Sequence, residues 1–262
     1  MDAATAKRLR RYAATYEAPE FFADDRDPST FIHGKECSCS DASREATAFV
    51  ASTLSFGSIK QFVPKIRTLV EFAHGDMDSW IRTGAYRRDI PMSDRTFYRF
   101  VTFAELRNFL DAYRRIMKDY GSLGAYVKEC ADGTGLGAVT AICKAFADSG
   151  AGHLVPATAA SACKRICLFL RWMVRTNSPV DLGLWADFID RKTLIVPLDT
   201  HVVQEALSLG LIASPCVSMA AARKLSAAML AIFPDDPLKG DFALYGHNLE
   251  EHRLRSATTS AS

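Results

Sequence analysis

Residues 102–120 read TFAELRNFLDAYRRIMKDY. Leu106, Phe109, Leu110, Tyr113, Ile116 and Met117 recur at three- and four-residue steps, the period of one buried face on an α-helix, and Gly121 ends the run. The same period continues on both sides. It predicts helices over 42–57, with Asp41 as N-cap and Ala46, Phe49, Val50, Thr53 and Leu54 as the stripe, and over 59–72, with Ile66, Leu69 and Val70 inward. Helices over 123–130 and 136–147 follow, separated by the turn-rich Ala131-Asp132-Gly133-Thr134-Gly135. After Ser149-Gly150-Ala151-Gly152 the pattern predicts helices over 158–175, 200–209 and 218–232. A last helix starts at Asp241–Tyr245, and a short one is expected over 184–187 in an irregular stretch. Leu194–Val196 is the single strand candidate. The expected fold class is therefore all-α. The chain reads as one unit over 1–262, with a first helical lobe over 30–150, a second over 151–250, and a disordered tail at 257–262.

Composition excludes several classes. The 262 residues are 48% hydrophobic and 24% charged, which is globular rather than disordered, collagen-like or fibrous. Thirty-two Lys and Arg against 30 Asp and Glu leave a net charge of +2, so the overall field selects no partner and local patches must be read instead. No apolar run approaches the ~20 residues that span a bilayer. The basic start (Lys7, Arg8, Arg10, Arg11) lacks the apolar stretch of a secretory signal. A cytoplasmic protein with no membrane or obligate protein partner is expected. Seven cysteines, an odd number without a Cys-x-x-Cys pair, are neither a disulfide framework nor a zinc ribbon. Cys163 and Cys167 share a helical face and could ligate a metal, but buried thiols in a helix seam are the simpler reading, and no metal site is expected.

Two stretches carry chemistry. In Pro197-Leu198-Asp199-Thr200-His201-Val202 the proline halts what precedes it and Asp199 stands where the next helix starts. It either caps that helix or, ionised at a helix N-terminus, stabilises a cation or activates a nucleophile. In the stretch 162–175, Ile166, Phe169, Leu170, Met173 and Val174 form a core face, while Lys164, Leu168, Arg171 and Arg175 fall on a neighbouring face. That second face is either a solvated basic surface or, on so apolar a helix, a place where partial desolvation makes the Lys164 amine a nucleophile. A lysine and an aspartate from separate helices are the elements of Schiff-base chemistry.

Pro-Leu-Asp-Thr-His-Val at 197–202, followed by Leu209-Gly210-Leu211, resembles a signature of the helix-hairpin-helix DNA glycosylase superfamily, in which the aspartate is catalytic. Phe-Leu-Arg-Trp-Met-Val-Arg at 169–175, Val-Asp-Leu-Gly-Leu-Trp at 180–185 and Asp-Asp-Pro…Asp-Phe-Ala-Leu-Tyr-Gly at 235–246 resemble an uncharacterised bacterial family across most of the chain. Asp27-Pro28, Phe31, Ala51, Phe56-Gly57 and Tyr98-Arg99-Phe100 fit it too. Two features depart from the glycosylases. The stretch His153–Ala160 lacks the Gly-x-Gly hairpin that holds a DNA phosphate, and no four-cysteine iron–sulfur loop follows Asp199. Lys164 and Asp199 are thirty-five residues apart, a spacing more similar to the archaeal 8-oxoguanine glycosylases than to the endonuclease III branch.

The resemblance implies a two-lobed helical bundle of the glycosylase type with a divergent hairpin. It implies a base-excision glycosylase and AP lyase acting on damaged double-stranded DNA, an oxidised purine being one substrate, without a cofactor. Lys164 is implied as nucleophile and Asp199 as its partner, the two opening into one cleft between the lobes, with the N-terminal segment packed against the second lobe. Pro237-Leu238-Lys239-Gly240-Asp241-Phe242-Ala243-Leu244-Tyr245 is similar to a stretch whose aspartate and aromatic residue contact the flipped base, which implies Asp241 and Tyr245 as base pocket; alternatively Asp241 caps the last helix and Tyr245 is core. Phosphate contacts are expected from Arg165, Arg171, Arg175, Arg191, Lys192 and His201, and further from Arg82, Arg87, Arg88, Arg95 and Arg99. Arg87-Arg88 is expected in a loop, and Tyr98-Arg99-Phe100 as stacking surface. The competing readings are a non-catalytic nucleic-acid-binding scaffold, in which Asp199 is only a cap and Lys164 a phosphate contact, and a helical adaptor with no nucleic-acid role.

Overall fold

The computed structural model describes residues 2–18, 28–33 and 40–248. The expected tail at 257–262, Asp27, and the Cys37–Cys39 pair lie outside them. The described chain is all-α apart from one small hairpin. Its helices are α1 (Ala3–Tyr16), α2 (Thr30–His33), α3 (Asp41–Leu54), α4 (Ile59–Phe72), α5 (Met77–Thr83), α6 (Tyr86–Asp89), α7 (Phe103–Tyr120), α8 (Leu123–Cys130), α9 (Gly135–Phe146), α10 (Lys164–Val174), α11 (Thr200–Ser208) and α12 (Met219–Ile232). Residues 239–248 are also helical. The hairpin pairs β1 (Thr96–Tyr98) with β2 (Val101–Thr102) in antiparallel sense.

Polar side chains at the helix starts explain most boundaries. Ser40, Asp76, Thr102, Ser122, Thr134 and Ser218 accept the N–H three residues on, capping α3, α5, α7, α8, α9 and α12. The cap of α3 is thus Ser40, one residue before the Asp41 expected from sequence.

The centre of the fold is Phe49 on α3. Its ring meets Phe109 and Tyr113 of α7, Phe146 of α9 and Phe169 of α10, with centroids 5.0–5.5 Å apart, close enough for tilted and edge-to-face aromatic packing. Phe169 in turn meets Trp185 edge-on at 5.0 Å. This cluster crosses the boundary at 150/151, so the two halves share packed side chains. A second tie is Glu45, which accepts bonds from the N–H groups of Leu123 (3.1 Å) and Gly124 (3.3 Å) and from Trp185 Nε1 (2.9 Å). Burial pushes its carboxyl above the ordinary value, against these three bonds. A Cβ at Gly124 would lie 2.7 Å from both Glu45 Oε2 and Trp185 Nε1, so any larger residue there would force these two side chains apart.

Four expectations are corrected. The helix expected over 158–175 begins at Lys164, because Ser161 forms an antiparallel bridge with Ser218 and Cys163 adopts a left-handed backbone (φ 45°) that breaks the helical path. Leu194–Val196 is no strand; the Val196 N–H donates to Ser226 Oγ (2.9 Å) instead of to a neighbouring strand. Residues 184–187 form turns rather than a helix. Arg87 and Arg88 lie on the single-turn helix α6, not in a loop, because the buried Tyr86 anchors that turn through its hydroxyl to Asp111 (2.5 Å). Helices α1 and α5 and the hairpin were not apparent from periodicity.

The C-terminal half of α10 is held by a buried ionic network. Arg175, 1% exposed, donates from Nε and Nη2 to Asp236 (2.9 and 2.8 Å), from Nη1 to Asp181, and from Nη2 to Glu17 (2.5 Å). Arg171 donates to Asp181 (3.3 Å) and Asp241 (2.6 Å), and both guanidiniums lie 5.0 Å from the Phe242 ring. Burial alone disfavours the charge of Arg175, but Asp181, Asp236 and Glu17 outweigh it and raise its pKa further. Replacement of Arg175 by Met leaves Asp236 buried without its cation and Asp181 with Arg171 alone. We expect it to cost about 3–5 kcal/mol, read as a lowered midpoint in urea unfolding, whereas Arg88→Ala, at an exposed side chain, leaves the midpoint unchanged.

Candidate functional site

Lys164 is the first residue of α10 and Asp199 the residue before α11. Their side chains meet, with Nζ 2.9 Å from Oδ2. Asp199 uses its other oxygen to accept the Val202 N–H (2.9 Å), so it is at once the helix cap and the lysine's partner. Burial pushes the Asp199 carboxyl up, but Lys164, the Val202 N–H and the nearby His201 outweigh it and hold it below the ordinary 3.8. The lysine and aspartate side chains are 38% and 27% exposed. Lys164 is therefore less desolvated than the apolar helix suggested, since it occupies the helix's outermost turn.

The approach to Lys164 is set by the chain before it. Left-handed backbone at a non-glycine residue costs roughly 1–2 kcal/mol, and at Cys163 it turns the chain from the Ser161 bridge into α10. A pocket of about 200 Å³ opens beside the lysine, lined by Pro156, Ser161, Cys163, Lys164, Leu198 and Val217 among others. The lining comes wholly from the second half of the chain, and not from a cleft between two lobes. The first half reaches its edge through Arg165, which donates to the Thr53 carbonyl at the end of α3 (2.8 Å) and lies 4.9 Å over the Phe56 ring. Burial lowers the pKa of Arg165 to about 10.

The remaining expected residues separate into two groups. Arg171 and Arg175 are internal and saturated by carboxylates, so they are corrected from phosphate contacts to structural cations. Arg165 is likewise committed to Thr53 and Phe56. Arg191 donates to the Asp235 carbonyl (2.9 Å) and Lys192 pairs with the Asp235 carboxylate (3.2 Å) on an exposed 3₁₀ turn. His201 is exposed beside Asp199. Arg82 is paired with Asp78 and Arg87 with Asp111, whereas Arg88, Arg95 and Arg99 are exposed. Asp241 is not a helix cap; its carboxylate turns to Arg171. Burial raises its pKa, Arg171 opposes that, and both Asp199 and Lys164 act on it electrostatically. Tyr245, 45% exposed, instead packs edge-on against Tyr16, centroids 6.2 Å apart. The N-terminal helix does lie against the second half, through Tyr16–Tyr245, Tyr12–His247 and the Arg10 bond to the Ile232 carbonyl.

Two features were not read from the sequence. Asp181, Asp236 and Glu17 neutralise the arginines of α10, and the signal was available: two arginines four residues apart on an otherwise apolar helix require carboxylates. The other is the joining of Phe56-Gly57 to the hairpin tip. Phe100, 52% exposed, stacks on Phe56 with centroids 5.2 Å apart, and Tyr98 donates its hydroxyl to the Phe56 carbonyl. Gly57 has φ +79°, and a Cβ there would lie 2.5 Å from Arg99 Nη1.

Among the described residues no helix is long and apolar enough to cross a membrane, and no three His, Cys, Asp or Glu side chains are grouped to hold a metal. No curated protein and no solved structure gives a significant match to the chain.

Because the Asp199 carboxyl is depressed in the folded state, the stability it contributes is complete above its unfolded value of 3.8 and is lost as the pH falls through its lower folded value. Asn retains the cap but not the charge. Thermal melting of wild type and Asp199→Asn should therefore show the wild type more stable at neutral pH, with the gap closing as the pH falls below 3.8. A gap independent of pH would show that the charge pair contributes nothing.

The chain matches the family described as "Protein of unknown function (DUF2400)" over residues 27–250, and it belongs to that family.

Proposed function

We propose that the protein is a DNA N-glycosylase with AP lyase activity on a damaged base in duplex DNA, an oxidised purine being the substrate class, built on a divergent helix-hairpin-helix type of helical bundle. The observation that carries this reading is the 2.9 Å pairing of an amine and a carboxylate from two helix starts, both partly open to solvent. Such a pair suits substitution at the sugar C1′. The target nucleotide must leave the stack, at a cost of a few kcal/mol that is least for a damaged base. Lys164 passes a proton to Asp199 and attacks C1′. The C1′–N bond breaks, and its electron pair leaves with the base, which takes up a proton. The secondary amine formed opens the sugar to an iminium, whose acidified C2′ hydrogen is removed as the C3′–O bond breaks. Asp199 also faces the positive charge that develops on the sugar.

Asp241 adds a second carboxylate within electrostatic range of the pair, and a base edge that reaches it competes with Arg171. The exposed Phe100 supplies a stacking surface, Arg191 and Lys192 supply positive charge on the second half, and His201 supplies an exposed imidazole beside Asp199. The 147–163 connection is a run of turns with Leu154 and Val155 buried, in place of a glycine hairpin for phosphate. That feature favours the second reading, a nucleic-acid-binding scaffold in which Lys164 contacts phosphate.

Lys164→Gln separates the two. Assayed over a panel of lesion-containing duplexes, the variant should lose strand cleavage while its affinity for damaged duplex stays within a small factor of wild type. Loss of affinity in Lys164→Gln, together with a wild type that cuts no lesion, would favour the scaffold, and cleavage persisting in purified Lys164→Gln would remove the lysine from the reaction.

A further inference from the structure

The residue immediately before Lys164 is a cysteine with a second thiol against it. Cys163 Sγ lies 3.9 Å from Cys143 Sγ, which projects from the last turns of α9. Neither is on the surface, yet Cys163 also lines the pocket that opens beside Lys164. Cys167, the other thiol nearby, is turned away and donates to the Ala162 carbonyl (3.5 Å). Most partners of Cys163 favour its thiolate, the Thr158 carbonyl 3.8 Å away being the exception. In the contact between the two sulfurs either can donate; with Cys143 as donor it overcomes the opposing effect of burial, Ser161 Oγ lies 3.5 Å away, and Arg165 contributes positive charge, which together hold the Cys163 thiol below the ordinary range. Cys143 is pushed the opposite way, by the same hydrogen bond and by burial. One sulfur is thus poised to react and the other is held protonated behind it, the arrangement of an attacking and a resolving thiol.

We propose that Cys163 and Cys143 form a reversible disulfide in response to hydrogen peroxide or a small organic hydroperoxide that enters the pocket beside Lys164. The Cys163 thiolate attacks the peroxide oxygen, the O–O bond breaks, and the leaving hydroxide or alkoxide takes up the proton released by Cys163. Cys163 becomes a sulfenic acid. The Cys143 sulfur then attacks the Cys163 sulfur, its proton and the sulfenic hydroxyl leave together as water, and the S–S bond closes. Two electrons pass from the two thiols to the peroxide. A disulfide sulfur pair is about 2.05 Å apart, so closure draws Cys163 toward α9 from its present 3.9 Å contact. Cys163 is the residue whose left-handed backbone launches α10, and its displacement pulls the Lys164 amine away from Asp199. This last consequence bears on activity only under the glycosylase reading; the disulfide itself does not depend on it.

The test uses the full chain with Cys37, Cys39, Cys130 and Cys216 replaced by Ser, which leaves Cys143, Cys163 and Cys167 as its thiols. After limited hydrogen peroxide, intact mass should fall by two hydrogens, peptide mapping should join Cys143 to Cys163, and a dithiol should reverse both. Cys143→Ala in the same background should leave a sulfenic acid on Cys163 that dimedone labels. Where borohydride traps DNA on the reduced protein, the oxidised protein should trap less and recover with the dithiol. Joining of Cys163 to Cys167, or persistence of Cys143 and Cys163 as free thiols while other residues oxidise, would overturn the proposal. A protein that forms the bond yet traps no DNA when reduced would sink the glycosylase reading and leave the disulfide standing.

Discussion

Two guanidiniums inside an apolar helix constrain everything around them. Arg171 and Arg175 take α10 into the interior with charges that cannot be shed, so carboxylates must come to them from elsewhere. Asp181 arrives from the segment after α10, Asp236 and Asp241 from the segment after α12, and Glu17 from the end of α1. Hydrogen bonding and charge together tie three segments, the one after α10, the one after α12 and the end of α1, to α10. Buried networks of this kind often stabilise no more than apolar side chains of equal volume would, but removing one member is costly.

The same network brings chemistry to the helix start. With the inner end of α10 clamped and its middle packed on Phe49, Lys164 has little freedom in where it emerges. Asp199 is fixed independently by capping α11, so the amine and carboxylate meet between two rigid elements rather than on a loop. Asp241 links the two systems: it holds Arg171 on one side and lies in the field of Lys164 and Asp199 on the other. Under the glycosylase reading stability and reactivity share this residue, and its substitution should be costly in both.

Periodic stretches were legible. Ile59–Phe72 and Leu123–Cys130 have the expected bounds, and α7, α9, α11 and α12 differ by a residue or so, because their apolar stripes and cap residues agree. The meeting of Lys164 with Asp199 was expected from the resemblance to the glycosylases, which pairs the two. What could not be read is set by pairing across the chain. Arg171 and Arg175 look like a basic surface until Asp181 and the distant Glu17, Asp236 and Asp241 are placed against them. Thr158–Ser161 has the composition of a helix, yet it pairs with Ser218 instead. The hairpin is too short for its alternation to register, and Phe100 owes its place to stacking on Phe56, forty-four residues earlier.

If Lys164 and Asp199 form one reactive site, peptide mapping of the protein after borohydride reduction on lesion-containing duplex will find a reduced deoxyribose remnant on Lys164 and on no other amine, with a lower yield in Asp199→Asn. A remnant on a different lysine or on the chain's amino terminus, or none on any lesion in the panel, would contradict it.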